Sequence, residues 1–219
     1  FGFRHSDGIL PHEPSSTGNA GDQSLLLWLG LSVLIGGQTF QADGRAVISL
    51  TNAIMGGAAG VVAWAACNRV ILRIPIERNI WLGSLCGTGA MAAAAGLVLP
   101  QSAMVIGGVS AILCNLVSEK FIGEKPVHRG KLVAATLGIS SAVGLVLTGV
   151  FATNSVAGNR WDGREVGGLI QGNGSQVVIQ MVAVAVTVLW SLLMSRVILF
   201  VFQPSNFVPV DRSPVNTEQ

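Results

Sequence analysis

Six stretches of this chain are apolar over lengths that approach the thickness of a lipid bilayer, and nothing else in it restricts the fold so strongly. A helix needs roughly 20 apolar residues to cross about 30 Å of hydrocarbon, and there its backbone must satisfy its own hydrogen bonds. The stretches occupy residues 24–40, 46–67, 80–99, 102–117, 132–152 and 177–202. The first and fourth are short, and the turn at Pro100 and Gln101 is tight, so five spans is the alternative to six. The expected fold is an all-α integral membrane bundle of about six transmembrane helices. A polar N-terminal arm over 1–23 precedes a membrane domain over 24–203, and a polar tail over 204–219 follows it.

Composition agrees. Only 11% of the 219 residues are charged, whereas soluble domains carry about 25%, so the surface is expected to face the lipid bilayer. The net charge of +2 comes from scattered residues with no basic stripe interleaved with aromatics, which argues against a nucleic-acid partner. Cys67, Cys86 and Cys114 lie in apolar runs without metal-ligand spacing and read as small buried side chains, so no metal is expected. The chain opens on Phe1 with no signal-like segment, and is expected to be a processed product or a fragment.

The basic residues also orient the spans, because cytoplasmic loops are enriched in Lys and Arg. With the N-terminus inside, that side holds ten: Arg4, Arg69, Arg73, Arg78, Lys120, Lys125, Arg129, Lys131, Arg196 and Arg212. The other side holds three, Arg45, Arg160 and Arg164. This bias predicts an even number of spans with both termini on the cytoplasmic side or its organellar equivalent, matrix or stroma.

Small residues mark the packing faces: Gly56, Gly57 and Gly60 in the second stretch, Gly83 and Gly87 in the third, Gly138 and Gly144 in the fifth. Helices in lipid associate through close backbone approach, which small residues permit. Such a pattern speaks for a tightly packed interior and by itself identifies no substrate path. Asn52, Asn115, Gln38 and Gln180 are the polar residues within or beside spans, and interhelical hydrogen bonding is their ordinary use. No Asp, Glu, Lys or His falls well inside a span, which speaks against a proton relay built from this chain alone. Phosphate-cradling loops, paired carboxylates and Ser/His/Asp arrangements are absent as well, so neither an enzyme nor a cofactor is expected.

Several motifs resemble those of the ammonium transporter and Rhesus family. Residues 168–180, which include Gly168, Gly172, Asn173, Gln176 and Gln180, look like the loop leading into that family's last helix. Thr148, Gly149 and Phe151 are similar to the end of its tenth helix. Asp43-Gly44-Arg45, followed by Thr51-Asn52, resembles the connection into its seventh. The six stretches would then correspond to family helices six through eleven, which is half of that fold and also places both termini inside. The resemblance implies a trimeric assembly, hence a homo-oligomer. It also implies a pore built from two inverted halves, with paired histidines beneath an aromatic outer site.

At the positions where that pore needs chemistry, the sequence departs. Counting back from Thr148, the family's second pore histidine falls on Leu137, which cannot relay a proton. The aromatic-rich outer-site segment reads Gly30 to Gln38 here, with Leu31, Ile35 and Gln38 in place of aromatic and hydroxyl groups. His128 sits in a basic loop too far from Thr148 to match, and His5 and His12 belong to the polar arm. The implied function is that of a divergent, non-conducting relative. It would act as a structural or accessory subunit of a larger membrane complex, with other membrane subunits covering the face left by the first five family helices. One part of a split ammonium channel, and a receptor without transport, are the alternatives.

Overall fold

A computed structural model describes residues 17–40, 42–122, 129–157 and 167–202. The helices run α1 Thr17–Gly37, α2 Gly44–Ala66, α3 Ile80–Ala94, α4 Pro100–Ile122, α5 Arg129–Phe151, the single turn α6 Asn154–Ala157, and α7 Ser175–Phe202. All but α6 coincide with the six apolar stretches, and no strand occurs among the described residues. By length and composition, Gly44–Leu72, Pro100–Lys120 and Ser175–Val201 suffice to cross a membrane, while Leu25–Gly37 and Ala135–Phe151 are shorter apolar helices.

Several boundaries differ from expectation, for one physical reason. Helical hydrogen bonding does not stop where the hydrocarbon does, so polarity marks the bilayer edge and not the helix end. Thus α1 begins at Thr17, inside the segment expected to be a polar arm, and α4 runs past its apolar window through Glu119 and Lys120. The fourth stretch is therefore a full-length helix of 23 residues, started by Pro100 at a position where a missing N–H costs nothing. Conversely, α3 ends at Ala94, short of residue 99, and its 15 residues rise about 22 Å. It can be short because it is internal: α1, α2, α4 and α5 all pack against it, and every residue from Leu82 to Thr88 is buried.

The chain divides into two compact units, residues 1–181 and 182–219. In the first, α2 packs on α1, α3 and α4, and α5 closes against α3 and α4. Asp43 caps α2, its carboxylate accepting from the backbone N–H groups of Arg45 and Ala46 at 3.0 and 3.2 Å. In the second unit, the described part of α7 is an apolar helix with exposed Leu189, Trp190 and Phe200.

Backbone contact between glycines holds the first unit together. A Cβ on Gly87 would collide with the Gly56 carbonyl, and one on Gly107 would meet the same carbonyl and lie 2.7 Å from the Gly56 Cα. One turn along α2, a Cβ on Gly60 would strike the Gly83 carbonyl. On the far side of α3, Gly144 of α5 fits directly against the backbone of Ala90. No side chain larger than hydrogen can occupy these crossings, which is the close approach that small residues provide in lipid.

Gly138 is different. It is exposed, and none of the described residues lies within 4 Å of where its Cβ would stand, so the packing role expected of it is not realised among them. The reason is angular: Gly138 and Gly144 are six residues apart, which turns them toward different sides of α5.

Replacing Gly107 with Ala should lower thermal stability in detergent by about 1–3 kcal/mol, the usual cost of overpacking. Gly108→Ala, whose new methyl meets only the Ala63 Cβ at 3.6 Å, should be neutral or stabilising. Thermal unfolding of the two variants side by side checks both.

Candidate functional site

The residues singled out as replacing pore chemistry fall in two places. Leu31 of α1 and Leu137 of α5 are half-buried against one apolar cluster formed by Trp64, Leu82, Leu85, Cys86, Ala111 and Cys114. The Leu137 side chain reaches Gly89 of α3, and its carbonyl accepts from Ser140 Oγ at 3.0 Å. Ile35 and Gln38 instead line a cavity of about 160 Å³ with Thr39, Ser49, Ala92, Ala95 and Gly96. Ile35 is buried and Gln38 exposed, next to the turn that ends α1. His5, His12 and His128, and Arg160 and Arg164, lie outside the described residues.

Buried polar side chains are numerous, and several hydroxyls are consumed by the helices themselves. Ser32 Oγ donates to the Trp28 carbonyl at 2.9 Å, Ser118 Oγ to Cys114 at 2.7 Å and Thr148 Oγ1 to Gly144 at 2.8 Å. Each is a bond to the preceding turn, which lets a hydroxyl sit in an apolar environment without a partner from another helix. Asn52 donates from Nδ2 to the Ala95 and Val98 carbonyls at 2.6 and 2.8 Å, tying α2 to the turn between α3 and α4. Those two carbonyls are left over where the short helix α3 ends, so the asparagine satisfies groups that the helix cannot.

At the opposite end, α2 continues as a π-helical turn, Cys67–Leu72, closed by Arg73 in the left-handed conformation. Asn68 organises this end. Its Nδ2 faces the carbonyls of Pro75, Ile76 and Arg78 at 3.4, 3.2 and 3.0 Å, and its Oδ1 accepts from Asn115 Nδ2 of α4 at 2.7 Å. Trp64 Nε1 donates to the Arg78 carbonyl at 3.2 Å, and Arg78 pairs with Glu119 at 3.3 Å. Asn115 thus makes the interhelical bond expected of it. Asn68 was not anticipated, because it lies one residue past the expected span. The signal was its spacing of four from Trp64, which puts both on one side of a helix.

The motif residues near the start of α7 form a second polar knot. Gly168 donates to the Ala152 carbonyl at 2.9 Å, and a Cβ there would meet the Val150 carbonyl at 2.6 Å. Leu169–Gln171 is a 3₁₀ turn ended by Gly172 at φ 88°, a conformation that favours glycine. Asn173 N–H then returns to the Gly168 carbonyl at 3.1 Å, and Asn173 Oδ1 accepts from Ser175 Oγ at 2.6 Å as α7 begins. Gly149 of α5 touches Gln176, Val177 and Gln180, and Phe151 packs on the core formed by Met91, Ala94 and Ile106. Every one of these motif residues serves the chain's own turns and crossings.

Among the described residues no carboxylate, imidazole or amine is buried, and no group of three metal-ligating side chains occurs. Trp28 Nε1 and Thr88 Oγ1 converge on Gly57 without hydrogen-bond partners among the described residues. Neither exchanges a proton near neutral pH.

Residues 14–213 match the model of the Ammonium Transporter Family. The chain is 29% identical over 208 residues to an ammonium transporter of Aquifex aeolicus, covering 93% of this chain and 46% of that protein. It is 30% identical over 188 residues to one from Bacillus subtilis, covering 84% and 44%. The crystal structure of the Mep2 mutant delta442 from Candida albicans superposes with a TM-score of 0.74 at 26% identity, covering 86% of this chain and 47% of that one. Saccharomyces cerevisiae Mep2 gives 0.72 at 25%, covering 89% and 44%. The chain thus spans about half the length of the curated relatives it matches.

The knot at Asn68 is testable directly. Asn68→Ala should release the loop after α2 and raise amide exchange across residues 72–79, while exchange in α3 stays slow. Its cost in stability should be about 1 kcal/mol, typical of polar contacts between membrane helices.

Proposed function

Since the chain belongs to the Ammonium Transporter Family, we propose that it serves as a divergent, non-conducting member that acts as a structural or accessory subunit of a membrane assembly. Leu137 carries this reading. At the position that motif spacing assigns to the family's pore histidine stands a side chain that packs on an apolar cluster shared with Leu31. The substitutions fall where chemistry would be needed, whereas the glycine crossings needed for packing are intact.

An assembly role is supported by surfaces prepared for close approach and left open. Gly30 and Gly37 of α1 and Gly138 of α5 have no neighbour among the described residues within 4 Å of a Cβ, and exposed Val33 and Leu34 lie between the first two. Other membrane-embedded helices would cover them, with both termini on the cytoplasmic side or its organellar equivalent. The same open face suits a second reading, in which the chain is one part of a split ammonium channel.

Two measurements separate these. Expressed in cells deprived of their own ammonium transporters, the chain should give no methylammonium uptake above background. Extracted gently from its native membrane, it should migrate on a native gel in a large assembly whose other subunits, identified by mass spectrometry, are unrelated to this family. Uptake above background, or co-migration with only one family-related partner that carries a pore histidine, would overturn the accessory reading and favour the split channel.

A further inference from the structure

The loop from Cys67 to Asn79 presents charge and apolar surface together in a way that packing does not explain. Val70, Ile71 and Ile76 are 72%, 56% and 44% exposed. Looseness of the segment is not the cause, because Asn68 and Trp64 hold its carbonyls and Arg73 N–H returns to the Asn68 carbonyl. Arg78 is neutralised by Glu119. Arg69 and Arg73 are exposed, stand four residues apart, and form no ion pair among the described residues, and neither does Glu77, the loop's own acid.

Depth decides what such a surface meets. Arg69 lies within the last turns of Gly44–Leu72, a segment long and apolar enough to cross a membrane. Val70 and Ile71 therefore stand at the level where acyl chains give way to head groups, and the two guanidiniums stand beside them. Arginine's planar fork suits a phosphate bidentately, and a basic site with apolar flanks at that level matches an anionic lipid on both counts.

We propose that the loop after α2 is a binding site for an anionic phospholipid, its phosphate held by Arg69 and Arg73 and its acyl chains lying against Val70, Ile71 and Ile76. Such a lipid would fasten the end of α2 to one leaflet. It would also balance the positive charge left at that end of the bundle, where Lys120 is exposed too.

The test uses the full chain, purified in detergent and delipidated, then titrated with phosphatidylglycerol or with phosphatidylcholine of the same acyl chains and read by native mass spectrometry. Phosphatidylglycerol should be retained in preference. R69Q/R73Q should lower that preference about fivefold for each arginine removed, leaving phosphatidylcholine binding unchanged, and R69K/R73K should restore only part of it, since an ammonium keeps the charge without the bidentate fork. Equal retention of the two lipids by the unaltered chain, or an undiminished preference in R69Q/R73Q, would overturn the proposal. So would full displacement of phosphatidylglycerol by inorganic phosphate, because the apolar flank would then contribute nothing. Should R69Q/R73Q fail to fold, the unaltered chain at rising ionic strength decides: the preference must fall as salt screens the arginines, and a salt-independent preference sinks the idea.

Discussion

Everything in the first unit depends on one carbonyl. The Gly56 C=O is approached by Gly87 of α3 and Gly107 of α4, each so closely that no β-carbon would fit. With lipid on the outside, burying apolar side chains brings little net gain over leaving them in the acyl phase. Helix association must then come from van der Waals contact at short range and from the few polar bonds available. Three backbones meeting at one residue maximise the first of these. The second follows from the same geometry, since the crossing brings Asn52 to the carbonyls exposed where α3 ends and Asn115 to Asn68.

The polar groups of the interior are largely occupied with holding helices, and this bears on function. The hydroxyls of Ser32 and Thr148 bond to their own preceding turn, asparagines bridge elements, and the glycine-rich approach to α7 satisfies its own backbone. Leu137, by contrast, offers no polar group and packs on an apolar cluster.

Helix existence and type were legible in the sequence, because the bilayer demands long apolar runs and no soluble alternative tolerates them. Helix ends were not, as α1, α3 and α4 show, since hydropathy reports the boundary of the hydrocarbon and not that of the hydrogen-bond ladder. The glycine faces on α2 and α3 were visible as small-residue spacing. Gly138 looked the same in sequence but meets none of the described residues. Leu137 could be located by counting along a motif, yet that it shares an apolar cluster with Leu31, more than a hundred residues away, is a fact of three dimensions.

By itself the sequence determined a helical membrane chain, which faces were small enough to meet, and a resemblance to half of the ammonium transporter fold. Each of these depends on local composition and spacing, where hydropathy and steric size act directly. Tertiary structure alone decided that α3 is the enclosed element and that Gly56 is where two other helices cross. It also decided that Asn68 pins a loop in which Arg78 pairs with Glu119 while Arg69 and Arg73 form no ion pair among the described residues. Those outcomes depend on which faces are turned toward each other, and a helix repeating every 3.6 residues does not reveal its partner until the helices have packed.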